Sequence, residues 1–313
     1  MSAAQAPVLP VPRAAPRRWP LGWLINWWRS PWRKPRILET LTWLYLTWSI
    51  IPVFIAVAFS FNAGRSRSVW QGFSLRWYFT DPVASVWHDP DLHAALFQSL
   101  RLAVLTTLIA VPLGVIFAIG IDRWHGRLPA VFNFQMLVSF VLPELVLGVA
   151  LLFMVTHVLT IIPLGTSGQV IALVTFQVSF PVIIVRARML SIGSQYEEAA
   201  MDLGATPFGA VRRVLLPMLY PAIFVSAVLV FADVIDDFVI VRALSADVST
   251  EPMSVKIYNS ARSSPSPALN ALATIMLLMS ALAIFIGYLV FRRTTRVEGS
   301  DGGSALDQLA IQL

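Results

Sequence analysis

The stretch that decides the fold is RARMLSIGSQYEEAAMDLGATPFGAVRRVLLP, residues 186–217. Tyr196 to Leu203 holds good helix formers, and Gly204 stands where a left-handed cap would end that helix. Thr206 suits an N-cap with Pro207 in the turn that follows, and this second helix runs on towards Val214. The spacing therefore predicts a short helix, a glycine turn and a second short helix. Before this segment, residues 145–185 carry no formal charge, and after it another apolar run begins at Pro217. A compact polar projection between two such runs belongs outside a membrane rather than inside a soluble core.

Composition points the same way. Of the 313 residues, 57% are apolar and 13% charged, against roughly 45–50% and about 25% in soluble domains. A soluble enzyme would need more charge to coat its surface, and disorder or a coiled coil does not fit so many Leu, Val, Ile and Phe residues. The net charge of +6 is the sign expected of basic residues at membrane-helix ends, so nucleic acid is not an expected partner. The chain has no cysteine, which excludes disulfides and thiolate metal sites.

A bilayer core about 30 Å thick needs roughly 20 apolar residues. Six runs qualify: about 40–61, 102–121, 130–156 (interrupted by Glu144), 168–187, 217–241 and 268–291. The break between the third and fourth falls at Pro163, Gly165, Thr166, Ser167 and Gly168. The fold class is thus all-α, a polytopic membrane protein. Basic residues number 16 on the side of the N-terminal segment, the 122–128 and 186–216 loops and the tail, against six in the 62–100 and 242–267 loops. That asymmetry places both termini in the cytoplasm, across the cytoplasmic (inner) membrane. Residues 1–37, with the Trp- and Arg-rich LGWLINWWRSPWRKPR, read as an interfacial segment on the inner leaflet. Residues 38–292 are the membrane domain, with the polar loop at 190–217. Residues 293–313 read as a flexible cytoplasmic tail.

Charged side chains inside the membrane carry the second signal. FADVIDDFVIV places Asp233, Asp236 and Asp237 in the fifth run at spacings that share a helix face. Three unpaired carboxylates facing lipid would cost on the order of 8–10 kcal/mol, so they line water, a partner or a cation path. Asp233 lies about 24 Å along its helix from Pro217, and Glu144 about 21 Å along its own from Ala130. Both fall somewhat beyond the midplane, towards the outside. Pro143 weakens the helix just ahead of Glu144. Phe231 and Phe238 flank the aspartates and offer either π faces to a cation or apolar packing. Two other roles stay open for the aspartates: Asp236 or Asp237 as a helix cap, and pairing with Arg242. His157 stands alone, without a second ligand at helical spacing, so no metal site is expected.

Glu198-Ala199-Ala200, Gly204, Val214, Leu216 and Pro217 resemble the EAA loop of ABC-importer permeases, with Val214 where isoleucine is commoner. Beyond the loop, FSFN at 59–62, WQGFSLRWY at 70–78, Pro143-Glu144, Asp236-Asp237 and the run KIYNSARSSPSPALNALATIMLL are similar to the spermidine/putrescine permeases of the PotB/PotC type, and to PotC more than PotB. The similarity spans about 40–292. The family's glycine-proline turn is absent from 242–252, where SADVSTEPM stands.

The resemblance implies the type I importer permease fold and one half of a binding-protein-dependent importer, with polyamines as substrate class. It implies a heterodimer with a second homologous permease, two ATPase subunits, an extracytoplasmic substrate-binding protein and surrounding lipid. Glu197, Glu198, Ala199, Ala200, Asp202, Gly204, Leu216 and Pro217 would dock the ATPase, and Glu144, Asp233, Asp236, Asp237, Phe231 and Phe238 would line the substrate path. No GxxxxGK[ST] occurs, so the chain has no catalytic residue of its own. ATP and magnesium would bind the partner subunit, and no cofactor would bind here. Two alternatives stay open: the same importer class with another solute (a compatible solute, an amino-acid derivative or a metal complex), and a secondary transporter relaying protons through its carboxylates.

Overall fold

The computed structural model describes residues 36–66, 69–123, 127–263 and 266–301. The interfacial reading of 1–35 and the last part of the tail, 302–313, lie outside the described residues. Among the described residues every regular element is helical, apart from an isolated bridge between Asn62 and Phe73.

Helix α1 spans Arg36–Ser60. Its residues up to Val53 belong to one unit, and the chain from Phe54 onwards forms another; all contacts below lie within the second. After a long loop come α2, Pro90–Arg123, and α3, Arg127–Val141. Helix α4, Glu144–Phe153, continues as a π turn to Val158. Helices α5 and α6, Thr166–Gln177 and Ser179–Ile192, meet at Val178. Helices α7, Gln195–Asp202, and α8, Pro207–Ala210, form the polar loop, and a π turn over Val211–Leu215 leads into α9, Leu216–Asp236. Then follow α10, Val239–Leu244, α11, Met253–Ser263, and α12, Ala268–Asp301. Among the described residues, five stretches are long and apolar enough to cross a membrane: Ile37–Ser60, Pro90–Arg123, Thr166–Ile192, Pro207–Asp236 and Ala268–Val290.

The third expected span differs. The run 130–156 is not one helix but α3 and α4, separated at Leu142 and Pro143. Proline has no N–H to donate and its ring clashes with the carbonyl one turn back, so the ladder of helical bonds stops there. Pro143 then starts the next helix, its carbonyl accepting from Val146 and Leu147 N–H. The fifth span also differs, ending at Asp236 rather than 241. The second is longer than 102–121, because Asp89 Oδ1 accepts from the N–H groups of Asp91 and Leu92 and caps α2 well outside the apolar run. The tail expectation is corrected over 293–301, which continues α12; extending a formed helix costs far less than nucleating one.

Small residues set the helix approaches. A Cβ on Gly114 would stand 2.4 Å from Pro181 Cγ, so α2 and α6 touch backbone to ring there. A Cβ on Gly287 would meet Val228 Cγ1 at 2.9 Å, which brings α9 against α12. One core gathers Leu102, Leu173, Val234 and Leu272, and a second gathers Val115, Val185, Met189 and Leu219. A buried polar knot ties α2, α5 and α10 together. Gln98 Nε2 donates to Gln169 Oε1 at 2.8 Å, and Gln169 Nε2 donates to Val241 O, Ser245 Oγ and Thr250 O at 3.0, 3.0 and 3.1 Å. The loop at 61–89 is tied in turn by Trp77 Nε1 donating to Asn62 O at 2.7 Å, and by an Arg76–Asp81 ion pair at 2.7 Å.

Candidate functional site

Three helix breaks frame the acidic cluster. Helix α4 begins at Glu144, α5 ends at Gln177, and α9 ends at Asp236. Asp237 has φ −56° and ψ 132°, so the chain leaves the helix at that residue and restarts at Val239. The expectation of three aspartates on one continuous helix is corrected accordingly. Asp237 forms local bonds that compete with the helix: its Oδ1 accepts from Val241 N–H at 3.2 Å, capping α10, and its carbonyl accepts from Ser254 Oγ at 2.5 Å. The capping alternative therefore describes one oxygen of Asp237. The other, Oδ2, is buried with no hydrogen-bond partner among the described residues, in a side chain 6% exposed.

The remaining carboxylates gather around it. Glu144 and Asp233 are the acidic neighbours of Asp237. Gln177 Nε2 donates to Asp233 Oδ2 at 2.6 Å, while Gln177 Oε1 is buried and without a partner among the described residues. Ser280 Oγ on α12 lies 3.4 Å from Asp236 Oδ1 as its donor. Asp233 and Asp236 are exposed on the surface of this chain, and Glu144 is half-buried. The fold thus sets Glu144 of α4 and Asp233 of α9 beside Asp237, with Asp236 as the neighbour of Asp233. Broken helices persist at membrane depth where they are packed in protein or line a wet cavity.

The two phenylalanines part company. Phe238 faces Tyr258, ring centroids 4.9 Å apart, and its ring lies 5.7 Å from the Arg242 guanidinium. Phe231 lines an apolar groove of about 460 Å³ between α2, α9 and α12, with Thr107, Met279 and Leu282 in its wall. The pairing alternative for Arg242 is corrected, because this residue turns to α11 instead of the aspartates. Its Nη1 donates to Asn259 Oδ1 at 2.6 Å and its guanidinium lies 5.1 Å from the Tyr258 ring.

The polar loop is built as its residues dictate. At the end of α7, Ala205 N–H donates to Ala200 O at 3.0 Å and Gly204 N–H to Met201 O at 2.9 Å, the two bonds of a Schellman closure. Gly204 has φ +89°, and a Cβ added there would meet nothing within 4 Å, so backbone conformation and not space demands glycine. Thr206 Oγ1 accepts from Gly209 N–H at 3.1 Å, and Pro207 takes the first helical position. The second helix does not stay separate: α8 runs through the π turn into α9, so Leu216 and Pro217 belong to the base of a membrane helix. Glu198, Ala199, Asp202 and Gly204 are exposed, with Leu203 (91%) and Phe208 (74%) beside them, and Ala200 is half-buried. Glu197 turns inward to Arg123 at the end of α2.

Sequence reasoning missed Gln177, Ser280 and Arg123, each a partner of an expected site residue. A glutamine at the end of one apolar run and a serine within another were the available signals, but neither identifies its partner. Among the described residues no cluster of His, Asp and Glu is arranged to hold a metal ion.

Residues 110–296 match the family of the binding-protein-dependent transport system inner membrane component. The chain is 32% identical over 251 residues to the spermidine/putrescine transport system permease protein PotC of Shigella flexneri, covering 80% of this chain and 92% of that one. It is 30% identical over 259 residues to the putrescine transport system permease protein PotI of Escherichia coli (strain K12), covering 81% and 90%. Its fold matches a chain of a bacterial ABC transporter involved in the import of alginate, with TM-score 0.64 and 16% identity over 88% of this chain and 96% of that one.

Proposed function

Since the chain belongs to the family of binding-protein-dependent inner-membrane transport components, a multi-pass permease family, we propose that it forms half of the path of an ATP-driven polyamine importer. The observation that carries the substrate class is the gathering of Glu144, Asp233, Asp236 and Asp237 at the helix breaks. A linear polycation needs acceptors at intervals, because each ammonium brings several N–H donors and a charge that is costly in an apolar setting. Asp237 Oδ2 and Gln177 Oε1 are buried acceptors with unused capacity, and Asp233 and Asp236 open onto the chain's surface. The names of the PotC and PotI relatives support the same class.

In this reading a second, homologous permease faces the acids and completes the path. Two ATPase subunits, holding ATP and magnesium, sit on the cytoplasmic face against α7 and Gly204. Closure of the ATPase pair on ATP moves the loop, and through it α9, so that the path opens to a binding protein outside; hydrolysis resets it inward. Both termini lie in the cytoplasm, as the distribution of basic residues supports. This chain carries no hydrolytic chemistry.

The test is uptake of labelled putrescine and spermidine into proteoliposomes holding this chain, its neighbouring permease and the ATPase. The binding protein is supplied outside and ATP is sealed inside. ATP-dependent accumulation is expected. Binding-protein-stimulated hydrolysis without accumulation of either amine would keep the importer and remove the polyamine.

A further inference from the structure

Glu197 and Glu198 are neighbours in α7 but face opposite ways. Glu198 is exposed, whereas Glu197 is 6% exposed and its Oε2 accepts from Arg123 Nη2 at the cytoplasmic end of α2. The other arm of the guanidinium, Nη1, holds Asp122 at 2.7 Å. The Arg123 side chain is 33% exposed, so the pair is only partly buried, but removing Arg123 leaves the Glu197 carboxylate, on a side chain 8% exposed, without its partner. The effect of the pair is to fix where α7 sits relative to α2.

Helix α2 is continuous for 34 residues, across Pro112. Gln98 lies 25 positions before Arg123, about 38 Å along the helix. There its Nε2 donates to Gln169 Oε1, Gln169 Nε2 donates to Val241 O, and Val241 N–H donates to Asp237 Oδ1. The contacts run unbroken from the coupling helix at one end to the buried carboxylate at the other.

We propose that Arg123 is a positioning residue for transport, whose ion pair with Glu197 makes α2 part of the body that moves with the coupling helix. Through Gln98, Gln169 and Val241, α2 then carries that movement to Asp237. Helix α9 is the direct extension of the loop, so Arg123 supplies a second, parallel connection to the same site. The inference rests on the reading of residues 195–217 as the ATPase-docking loop.

The test uses the full importer in proteoliposomes and reads two quantities: substrate imported per ATP hydrolysed, and ATPase subunit retained per permease. Arg123→Gln is expected to lower import per ATP by roughly tenfold, the size of a typical coupling between sites, with ATPase retention kept. Arg123→Lys, which keeps the charge, is expected to recover part of the loss. The exchanged pair Arg123→Glu with Glu197→Arg restores a bridge of opposite polarity and is expected to recover most of it. Wild-type import per ATP in Arg123→Gln would overturn the proposal. So would a loss that the exchanged pair fails to relieve, which also covers the case in which Arg123→Gln does not assemble. If the wild-type complex imports neither amine, the proposed function fails instead, and the two failures are told apart by that control.

Discussion

Gln177, the last residue of α5, donates its Nε2 to Asp233 Oδ2 on α9 at 2.6 Å, although the two stand 56 positions apart. The bond sits at the end of one helix and a turn before the break in another. It holds one carboxylate in place while Asp236, a turn further on, is contacted weakly and Asp237 keeps one oxygen free. The acids are therefore not equivalent.

Replacing Asp237 by Asn keeps an acceptor for Val241 N–H but puts an amide where the carboxyl now stands. A hydrogen bond to a charged group contributes about 1.5–3 kcal/mol, so half-saturating substrate for dication uptake is expected to rise by roughly tenfold to a hundredfold. Asp236→Asn is expected to have a smaller effect. Initial-rate uptake over a range of putrescine concentrations, alongside copurification of the partner subunits, checks both. Unchanged uptake with intact assembly would reduce the pair to a capping role.

Gly204 adopts φ +89° in open space. An alanine there meets no clash beyond its own left-handed backbone, a cost of about 1–2 kcal/mol, so Gly204→Ala is expected to weaken ATPase retention modestly. Gly204→Pro cannot reach that φ and is expected to abolish retention or uncouple hydrolysis from uptake. Pull-down of the ATPase subunit separates the two variants, and wild-type behaviour of Gly204→Pro would refute the docking assignment.

Gln169→Leu is nearly volume-conserving but leaves Thr250 O without its donor in a part-buried site, while Val241 O keeps Ser245 Oγ as a donor. Stranding buried polar groups costs about 1–3 kcal/mol each. The expected result is a lower Tm for the purified complex in detergent, measured by intrinsic fluorescence. An unaltered Tm would show that the Thr250 carbonyl finds another donor.

Asp81 lies in the loop that precedes α2. The N–H groups of Ala84 and Val83, then the Arg76 guanidinium, hold its carboxyl down from 3.8 to about 2. A depressed acid contributes stability that is present above the unfolded value and lost as pH falls through the folded one. Amide protection at Val83 and Ala84 is therefore expected to fade between about pH 4 and 2. Hydrogen exchange followed by mass spectrometry reads this. Asp81→Asn is expected to show weak protection throughout, with little pH dependence, and a wild-type profile in that variant would count against the assignment.

How much is legible in the chain follows from what each feature depends on. Apolar length reveals a membrane helix because the bilayer imposes its thickness on the chain directly. The α7–Gly204–α8 loop is equally readable, since caps, glycine turns and N1 proline are short-range devices. Features stay hidden where the decisive partner is distant or the competition subtle. Pro143 by its residue type weakens a helix, but the full break depends on α4 starting afresh at its carbonyl. The extra turns of α2 depend on Asp89 capping residues that no apolar count includes. Asp237 leaves its helix because Val241 and Ser254 are near enough to bond it.

By itself the sequence determined that this chain crosses a membrane several times, carries a polar helix–glycine–helix loop between two of its spans and holds carboxylates within its apolar runs. These depend on composition, periodicity and local backbone chemistry, which are properties of neighbours along the chain. Only the tertiary structure decided that Glu144 meets Asp237, that Gln177 holds Asp233, and that Glu197 turns in to Arg123 while Glu198 faces out. Helix periodicity says which residues share a face, but what that face meets is set by how the helices pack.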